Sequence, residues 1–295
     1  FEGALDRALT TANYAQLRAE QRARRERGDR LQLGIGVSVY VEITAGTSTS
    51  EDAKVEVLPN GRAIVYTGTS PHGQGHVTSW SMIASEETGI PIDDIDVVWG
   101  DTDLVPVGGG TMGSRSLQLG GAAVQQAKKH AARLLEANEA DVVFDRDHGA
   151  FHVAGTPAVA KTWADVALAQ QDDGGLSQYT TFPSAGPTFP FGSHVAVVEV
   201  DVETGQVRHV RHVACDDAGR VLNPLILDGQ IHGGIAQGAA QALLEEVRYD
   251  QDGNPITSNL ADYAFISAAE LPSFEVVHME TPTPRNPLGA KGIGE

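Results

Sequence analysis

The stretch AKVEVLPNGRAIVYTG (residues 53–68) sets two β-rich runs on either side of Asn60-Gly61. An Asn-Gly pair between such runs is the strongest short-range sign of a β-hairpin. The residues after it change period. TSPHGQGHVTSWSMIASEETG (69–89) predicts a helix from about Gly75 to Thr88, followed by Pro91 and a strand in IDVVWG (95–100). Upstream, LQLGIGVSVYVEITAG (31–46) is rich in β-branched residues and reads as a further strand. Downstream the same order returns: SHVAVVEVDVETGQVRHVRHVACDD (193–217) is a second hairpin turning at VETGQ. It leads into NPLILDGQIHGGIAQGAAQALLEEV (223–247), a helix that Asn223 can cap and Pro224 can open. Strands are expected in EVRYDQDG (246–253) and SFEVVHMET (273–281). Hairpins and helices in blocks, without strict βαβ alternation, predict an α+β fold of two subdomains with antiparallel or mixed sheets and packed helices. The shared order of hairpin then helix suggests an internal structural repeat.

The expected segments are an N-terminal helical stretch over residues 1–30, where Leu5, Leu9 and Leu17 fall at helical spacing, and subdomains over 31–175 and 176–295. The polar AQQDDGGLSQ (169–178) and proline-spaced FPSAGPTFPFG (182–192) mark the boundary. Inside the first subdomain a glycine-rich loop, DTDLVPVGGGTMGSRS (101–116), precedes an expected long helix over 116–138, and short strands are expected at 142–144 and 151–153. The chain opens on Phe1 without Met, in the middle of a helical pattern, and reads as a piece of something longer.

Composition narrows the function classes. The net charge is −18, and residues 1–30 hold seven arginines against five acids, leaving 14 basic against 34 acidic residues in the rest. So acidic a body repels phosphate backbones, which disfavours nucleic acid as a partner. No apolar run has the length of a membrane span and no signal-peptide pattern opens the chain, so a cytoplasmic protein is expected. The single Cys215 excludes an internal disulfide framework and argues against a cysteine metal cluster within this chain.

Four stretches carry candidate chemistry. A helix starting after Gly73-Gln74-Gly75 offers unpaired backbone N–H groups and a positive dipole end, suited to an anion, and the Gln74 amide both donates and accepts. His72 and His76 have no further His or Cys nearby to complete a metal site, and the alternative is plain loop chemistry. GGGTMGSRS (108–116) places Thr111, Ser114, Arg115 and Ser116 in front of the next expected helix, where hydroxyls and a guanidinium fork can bind phosphate oxygens. The alternative is that its glycines only turn the chain and Arg115 pairs with an acid. Gln230, Gly234, Gln237, Gly238 and Gln241 share one helix face, opposite Leu227, Ile231, Ile235 and Leu243; this polar, small face serves either a ligand or close helix packing. Glu295 follows LGAKGIG, where it is either a solvated tail or a carboxylate that can enter a closed cavity and act as a general base.

Taken in order, GQGH, GDTD, GGGTMGSRS, NPLILDGQIHGGIAQG and NPLGAKGIGE resemble the C-terminal half of the large, molybdopterin-binding subunit of the xanthine dehydrogenase family of molybdenum hydroxylases, and most of all the aerobic carbon monoxide dehydrogenase type. The resemblance runs from about residue 30 to 295 and implies the molybdopterin-binding fold of aldehyde oxidases and xanthine dehydrogenases. It implies that Glu295 is the glutamate beside molybdenum, the base that lets a water-derived oxygen attack substrate. It places Gln74, Gly75, His76, Thr111, Gly113, Ser114, Arg115, Ser116, Gln230, Lys291 and Gly292 in segments that hold the pterin and its nucleotide extension, commonly cytosine dinucleotide. Cys215, Asp216 and Asn223 fall in a stretch resembling a cofactor-side strand and turn, with ordinary packing as the alternative. The expected cofactor is molybdenum-molybdopterin cytosine dinucleotide. The expected partners are the upstream half of the same large subunit, which would also hold any copper, an iron–sulfur small subunit and an FAD medium subunit. Carbon monoxide, an aldehyde or an N-heterocycle would be the small-molecule substrate. A cofactor-binding scaffold without chemistry is the alternative from another class, and the piece alone is expected to be inactive.

Overall fold

A computed structural model describes residues 1–46, 49–105, 107–117, 142–155 and 160–293. The expected helix over 116–138 falls almost wholly outside the described residues, as does Glu295. In chain order the regular elements are α1 (Glu2–Thr11), α2 (Tyr14–Arg27), β1 (Leu31–Val41), β2 (Ser50–Val57), β3 (Ala63–Thr67), α3 (His76–Thr88), β4 (Ile95–Val98), β5 (Val142–Asp145), β6 (Ala150–Val153) and β7 (Lys161–Thr162). They continue with α4 (Trp163–Ala169), β8 (Leu176–Pro183), β9 (Phe191–Asp201), β10 (Val207–Asp217), α5 (Pro224–Leu243) and β11 (Phe274–Met279).

The chain forms two compact units, one of residues 1–42, 189–281 and 293–295, the other of 43–188 and 282–292. These units are drawn differently from the expected linear segments, which meet at 175/176. The proline-spaced segment does carry a crossing, at 188/189, but the chain also crosses at 42/43, 281/282 and 292/293. The reason is strand pairing. β1 runs antiparallel to β9 over eleven residue pairs, Leu31 against Asp201 through Val41 against Phe191, so the first strand joins the sheet of the later hairpin.

In the first unit the strand order is β1-β9-β10-β11, with β9 and β10 the expected antiparallel hairpin and β11 parallel to β10. One face of this sheet buries Val195, Val197, Val213 and Cys215 against Ala4, Ala8 and Ala12. The N-terminal helical segment is thus two helices, broken at Asn13 in the left-handed region (φ 52°), and its alanines rather than Leu5 close the core. The other face packs Ala214 against Ile231 and Ile235 of α5. Asn223 caps α5 as expected, its Oδ1 accepting from the Ile226 N–H at 3.2 Å, with Pro224 in the first turn. EVRYDQDG forms no strand: Asp250 gathers the N–H groups of Asp252 and Asn254 into a turn, leaving one isolated bridge from Tyr249 to Pro255.

In the second unit the order is β4-β3-β2-β8. β2 and β3 pair across Asn60-Gly61, with Gly61 at φ 84° and Leu58 N–H donating to Arg62 O at 2.8 Å. β4 is parallel to β3, and α3 lies between them in sequence and buries Trp80, Ile83 and Ala84. Both units therefore contain hairpin, helix and a third strand parallel to the second, flanked by one antiparallel strand, so the repeat read from order is a repeat of topology. A separate sheet β5-β6-β7 packs Phe151 edge-on to Trp163 of α4 at 4.5 Å, and Trp163 Nε1 donates to Thr88 O.

Candidate functional site

Three stretches that are far apart in the sequence meet in the second unit. Thr111 Oγ1 donates to Ser70 O at 2.7 Å, tying GGGTMGSRS to the loop that enters α3. Gly292 lies backbone to backbone on Ser114: a Cβ there would stand 2.0 Å from Ser114 O, so only glycine fits. Asn286 builds the loop leading to Lys291 and Gly292, its amide donating to Ala290 O at 2.8 Å and accepting from Ala290 N–H at 3.2 Å. Lys291 is half-buried.

Five residues beyond Ser70, α3 begins after Gly75, which lies in the left-handed region at φ 72°, and no side chain caps it. Its first-turn N–H groups and the positive end of its dipole remain available to an anion. Gln74 Oε1 accepts from the His72 N–H and shapes the approach. His76 is buried and stacks on Trp80 at 5.1 Å, and burial holds its ring below the usual histidine range, hence neutral near pH 7. Buried His76 Nδ1 and Trp80 Nε1 have no hydrogen-bond partner. Unpartnered buried polar atoms in the first two turns of a helix with a free start suit a polar, anionic group.

Arg115 does different work from that of a phosphate fork. Its guanidinium, 3% exposed, pairs with Glu51 at 2.7 Å and donates to Gly110 O and Ser50 O. Glu51 in turn accepts from the Gly109 N–H at 3.2 Å, and its burial pushes the carboxyl upward against the opposing pull of Arg115. A Cβ on Gly109 would strike the guanidinium at 2.0 Å, and one on Gly108 would strike Gly68 Cα at 2.3 Å. These glycines make room for protein, and Arg115 shapes the loop from within. Ser116 Oγ donates to Thr111 Oγ1 at 3.1 Å, while Ser114 is held at φ 49° and Gly113 O accepts from the Ala45 N–H.

Gln230 belongs to the first unit, where its amide donates to Ile293 O at 3.4 Å. It thereby steadies the backbone two residues ahead of Glu295 in the sequence. Gly234 and Gly238 of the same helix line a cavity of about 360 Å³ against the sheet, whereas Gln237 is exposed. Cys215 packs in the core of the opposite face, its thiol pushed up by burial, and has no reactive setting. Asp216 faces the cavity.

Sequence reasoning missed the histidines around that carboxylate. Tyr40 OH donates to Asp216 Oδ1 at 2.7 Å, and His194 Nε2 lies 3.0 Å from the same oxygen. His194 Nδ1 is 3.1 Å from His212 Nε2, and His212 Nδ1 is 3.2 Å from His209 Nε2. The signal was present in the alternation: His212, Ala214 and Asp216 point to one face of β10, and a bulge between His209 and Arg211 brings His209 to the same side. Gly192 is required beside them, since a Cβ there would lie 2.0 Å from Asp216 Oδ1 and 2.6 Å from Tyr40 Cε1. Among the described residues no group of three or more His, Cys, Asp or Glu is arranged to hold a metal ion. No helix among them is long and apolar enough to cross a membrane.

Glycine-bearing loops joined beside the loop that enters an uncapped helix, in an α+β scaffold, are an arrangement suited to a polar, anionic organic cofactor. The chain belongs to the molybdopterin cofactor-binding domain family, whose model matches residues 7–272. It is 37% identical to the carbon monoxide dehydrogenase large chain of Afipia carboxidovorans over 99% of its own length and 39% of that protein. Its fold matches a Cu,Mo-CO dehydrogenase in its carbon monoxide reduced state with a TM-score of 0.87 and 37% identity, covering all of this chain and 40% of the other. It also matches quinoline 2-oxidoreductase from Pseudomonas putida 86, with a TM-score of 0.84 and 34% identity over 98% of this chain and 40% of the other. The chain thus spans about two fifths of the length of these relatives.

Proposed function

We propose that this chain is the cofactor-holding part of the large subunit of a molybdenum hydroxylase, which oxidises a small substrate with oxygen from water. The observation that carries this reading is the joining of Ser70 to Thr111 and of Ser114 to Gly292 beside the loop that enters the uncapped start of α3. The α3 N–H groups and Gln74 would hold the anionic pterin and its cytosine dinucleotide extension. Thr111 and Ser116 would fix the loop beside it, and Arg115 with Glu51 would keep that loop in shape. Lys291 and Gly292 would deliver the terminal segment, with Gln230 steadying the Ile293 carbonyl. When bound, the molybdenum cofactor supplies the acceptor for two electrons and the site at which water becomes the oxygen donor. Glu295 is the proton acceptor that makes that oxygen nucleophilic.

The overall change is substrate + H₂O → oxygenated substrate + 2 H⁺ + 2 e⁻, and the electrons would leave through iron–sulfur and FAD subunits. Carbon monoxide is one candidate substrate, favoured by the likeness to Cu,Mo-CO dehydrogenase; an N-heterocycle is the other, favoured by the nearly equal likeness to quinoline 2-oxidoreductase. Elemental analysis of the protein in its complete native complex tests the proposal. Near one molybdenum and one copper per chain supports carbon monoxide oxidation, and molybdenum without copper in fully loaded protein supports an organic hydroxylase. Absence of molybdenum would overturn the reading in favour of a scaffold.

A further inference from the structure

Asp216, His194, His212 and His209 form one continuous hydrogen-bonded file along the cavity between α5 and its sheet. For a carboxylate at one end and neutral rings along it, every bond in the file has one direction. An ionised carboxylate only accepts, so His194 Nε2 carries a proton and donates it to Asp216 Oδ1. A neutral ring has one N–H, so His194 Nδ1 is an acceptor and His212 Nε2 must donate to it. By the same step His212 Nδ1 accepts from His209 Nε2. His209 Nδ1 is left as a buried acceptor without a hydrogen bond of its own, the Arg211 backbone lying beside the ring, and Asp216 Oδ2 is buried and unpartnered. The file therefore runs one way and has an open acceptor at each end.

We propose that these three histidines are a directed proton relay that carries protons along this cavity to and from Asp216. A proton arriving at His209 Nδ1 releases the His209 Nε2 proton to His212 Nδ1. His212 then passes its Nε2 proton to His194 Nδ1, and His194 passes its own to Asp216 Oδ1. Each ring gains one N–H bond and loses one, the carboxylate becomes a carboxylic acid, and no electrons move; the reverse sequence or ring reorientation resets the file. Neutral rings are a condition of this transfer. Burial first, then the neighbouring His194 and His209, push His212 down to about 4, and burial lowers His209 as well. His212 therefore passes a proton on instead of keeping it.

The surroundings suit a relay. α5 presents Ile231, Gly234, Ile235, Gly238, Ala239 and Ala242 to the cavity, none of them titratable. β1 contributes Tyr40, which holds Asp216 Oδ1 at 2.7 Å, and β11 contributes Phe274, whose ring lies between 5 and 7 Å from those of His209, His212 and His232 at 6.3, 5.8 and 5.4 Å. Ile293 also lines the cavity, two residues before Glu295 in the sequence. Resting on the function proposed above, the relay would remove the protons that oxidation by water sets free.

The test uses the complete native complex with ¹⁵N-labelled histidine, together with its His212→Ala variant. In the wild type near pH 7 the relay requires all three rings neutral with the proton on Nε2. Any of them found protonated on Nδ1 in the resting complex, before substrate is added, overturns it, whatever the substrate proves to be. In His212→Ala, kcat should fall at least about tenfold with KM unchanged and the D₂O effect on kcat enlarged. Imidazole should restore turnover and cyclopentane, an apolar filler of similar size, should not. Unchanged kcat and D₂O effect, or equal rescue by both molecules, overturns the relay in favour of packing. A wild-type complex without turnover would sink the functional reading, and the tautomers would still judge the relay.

Discussion

The Arg115 guanidinium lies 2.7 Å from the Glu51 carboxylate with 3% and 0% of the two side chains exposed. The pair ties the first strand of one hairpin to a loop more than fifty residues later. Around it the guanidinium donates to Ser50 O and Gly110 O and the Gly109 N–H donates to Glu51, which offsets part of the cost of burying two charges, while Arg115 Nε has no partner.

Arg115→Met would leave the Glu51 charge buried without its partner. Chemical denaturation should show a loss of about 3–5 kcal/mol, and Arg115→Met with Glu51→Leu should recover most of it. A single variant as stable as the wild type would show that Glu51 is already neutral.

Gly192→Ala would put a methyl group 2.0 Å from Asp216 Oδ1 and 2.6 Å from Tyr40 Cε1. Neither neighbour is a loose end, because the Tyr40 hydroxyl and Asp216 are bonded to each other at 2.7 Å. Overpacking should cost about 1–3 kcal/mol, read as a lower Tm. Gly36→Ala, with nothing within 4 Å of its Cβ position, is the control and should have little effect.

Stability should fall with acid in a window set by His212. Its folded value of about 4 lies below the ordinary 6.5, so between these values the unfolded chain binds more protons than the folded one. The contribution is fully present above about pH 6.5 and is lost as pH falls toward 4, on the order of 3 kcal/mol in all. His209, also lowered, adds to the same slope. Urea titrations across this range should be flatter for His212→Gln.

Glu295→Gln in the native complex should cut turnover by about 10²–10⁴ while molybdenum content holds, because only the proton acceptor is removed. Loss of molybdenum in step with activity would assign Glu295 to cofactor retention instead.

Local chemistry was enough to read the elements. Asn60-Gly61 announces its hairpin because the turn needs a positive-φ residue and Gly61 supplies it at φ 84°, and Asn223-Pro224 announces α5 because cap and first turn have their own residue preferences. EVRYDQDG misled because alternation over so short a run competes with Asp250, whose carboxylate draws the backbone into a turn. The motif order also made the cofactor family legible, since five spaced stretches stand in sequence regardless of where they fold.

What tertiary structure alone decided is which of these pieces meet. β1 left its neighbours in the chain to pair with β9, because an eleven-residue register is worth more than proximity in sequence. Arg115 turned inward because a buried carboxylate, invisible in its own motif, stood 2.7 Å away. His194, His209, His212 and Asp216 became one file only when two strands, a bulge and the glycine at 192 set their side chains on a common face. Sequence determines what each stretch can form; long-range pairing and burial determine which groups become neighbours, and the chemistry of a site belongs to neighbours.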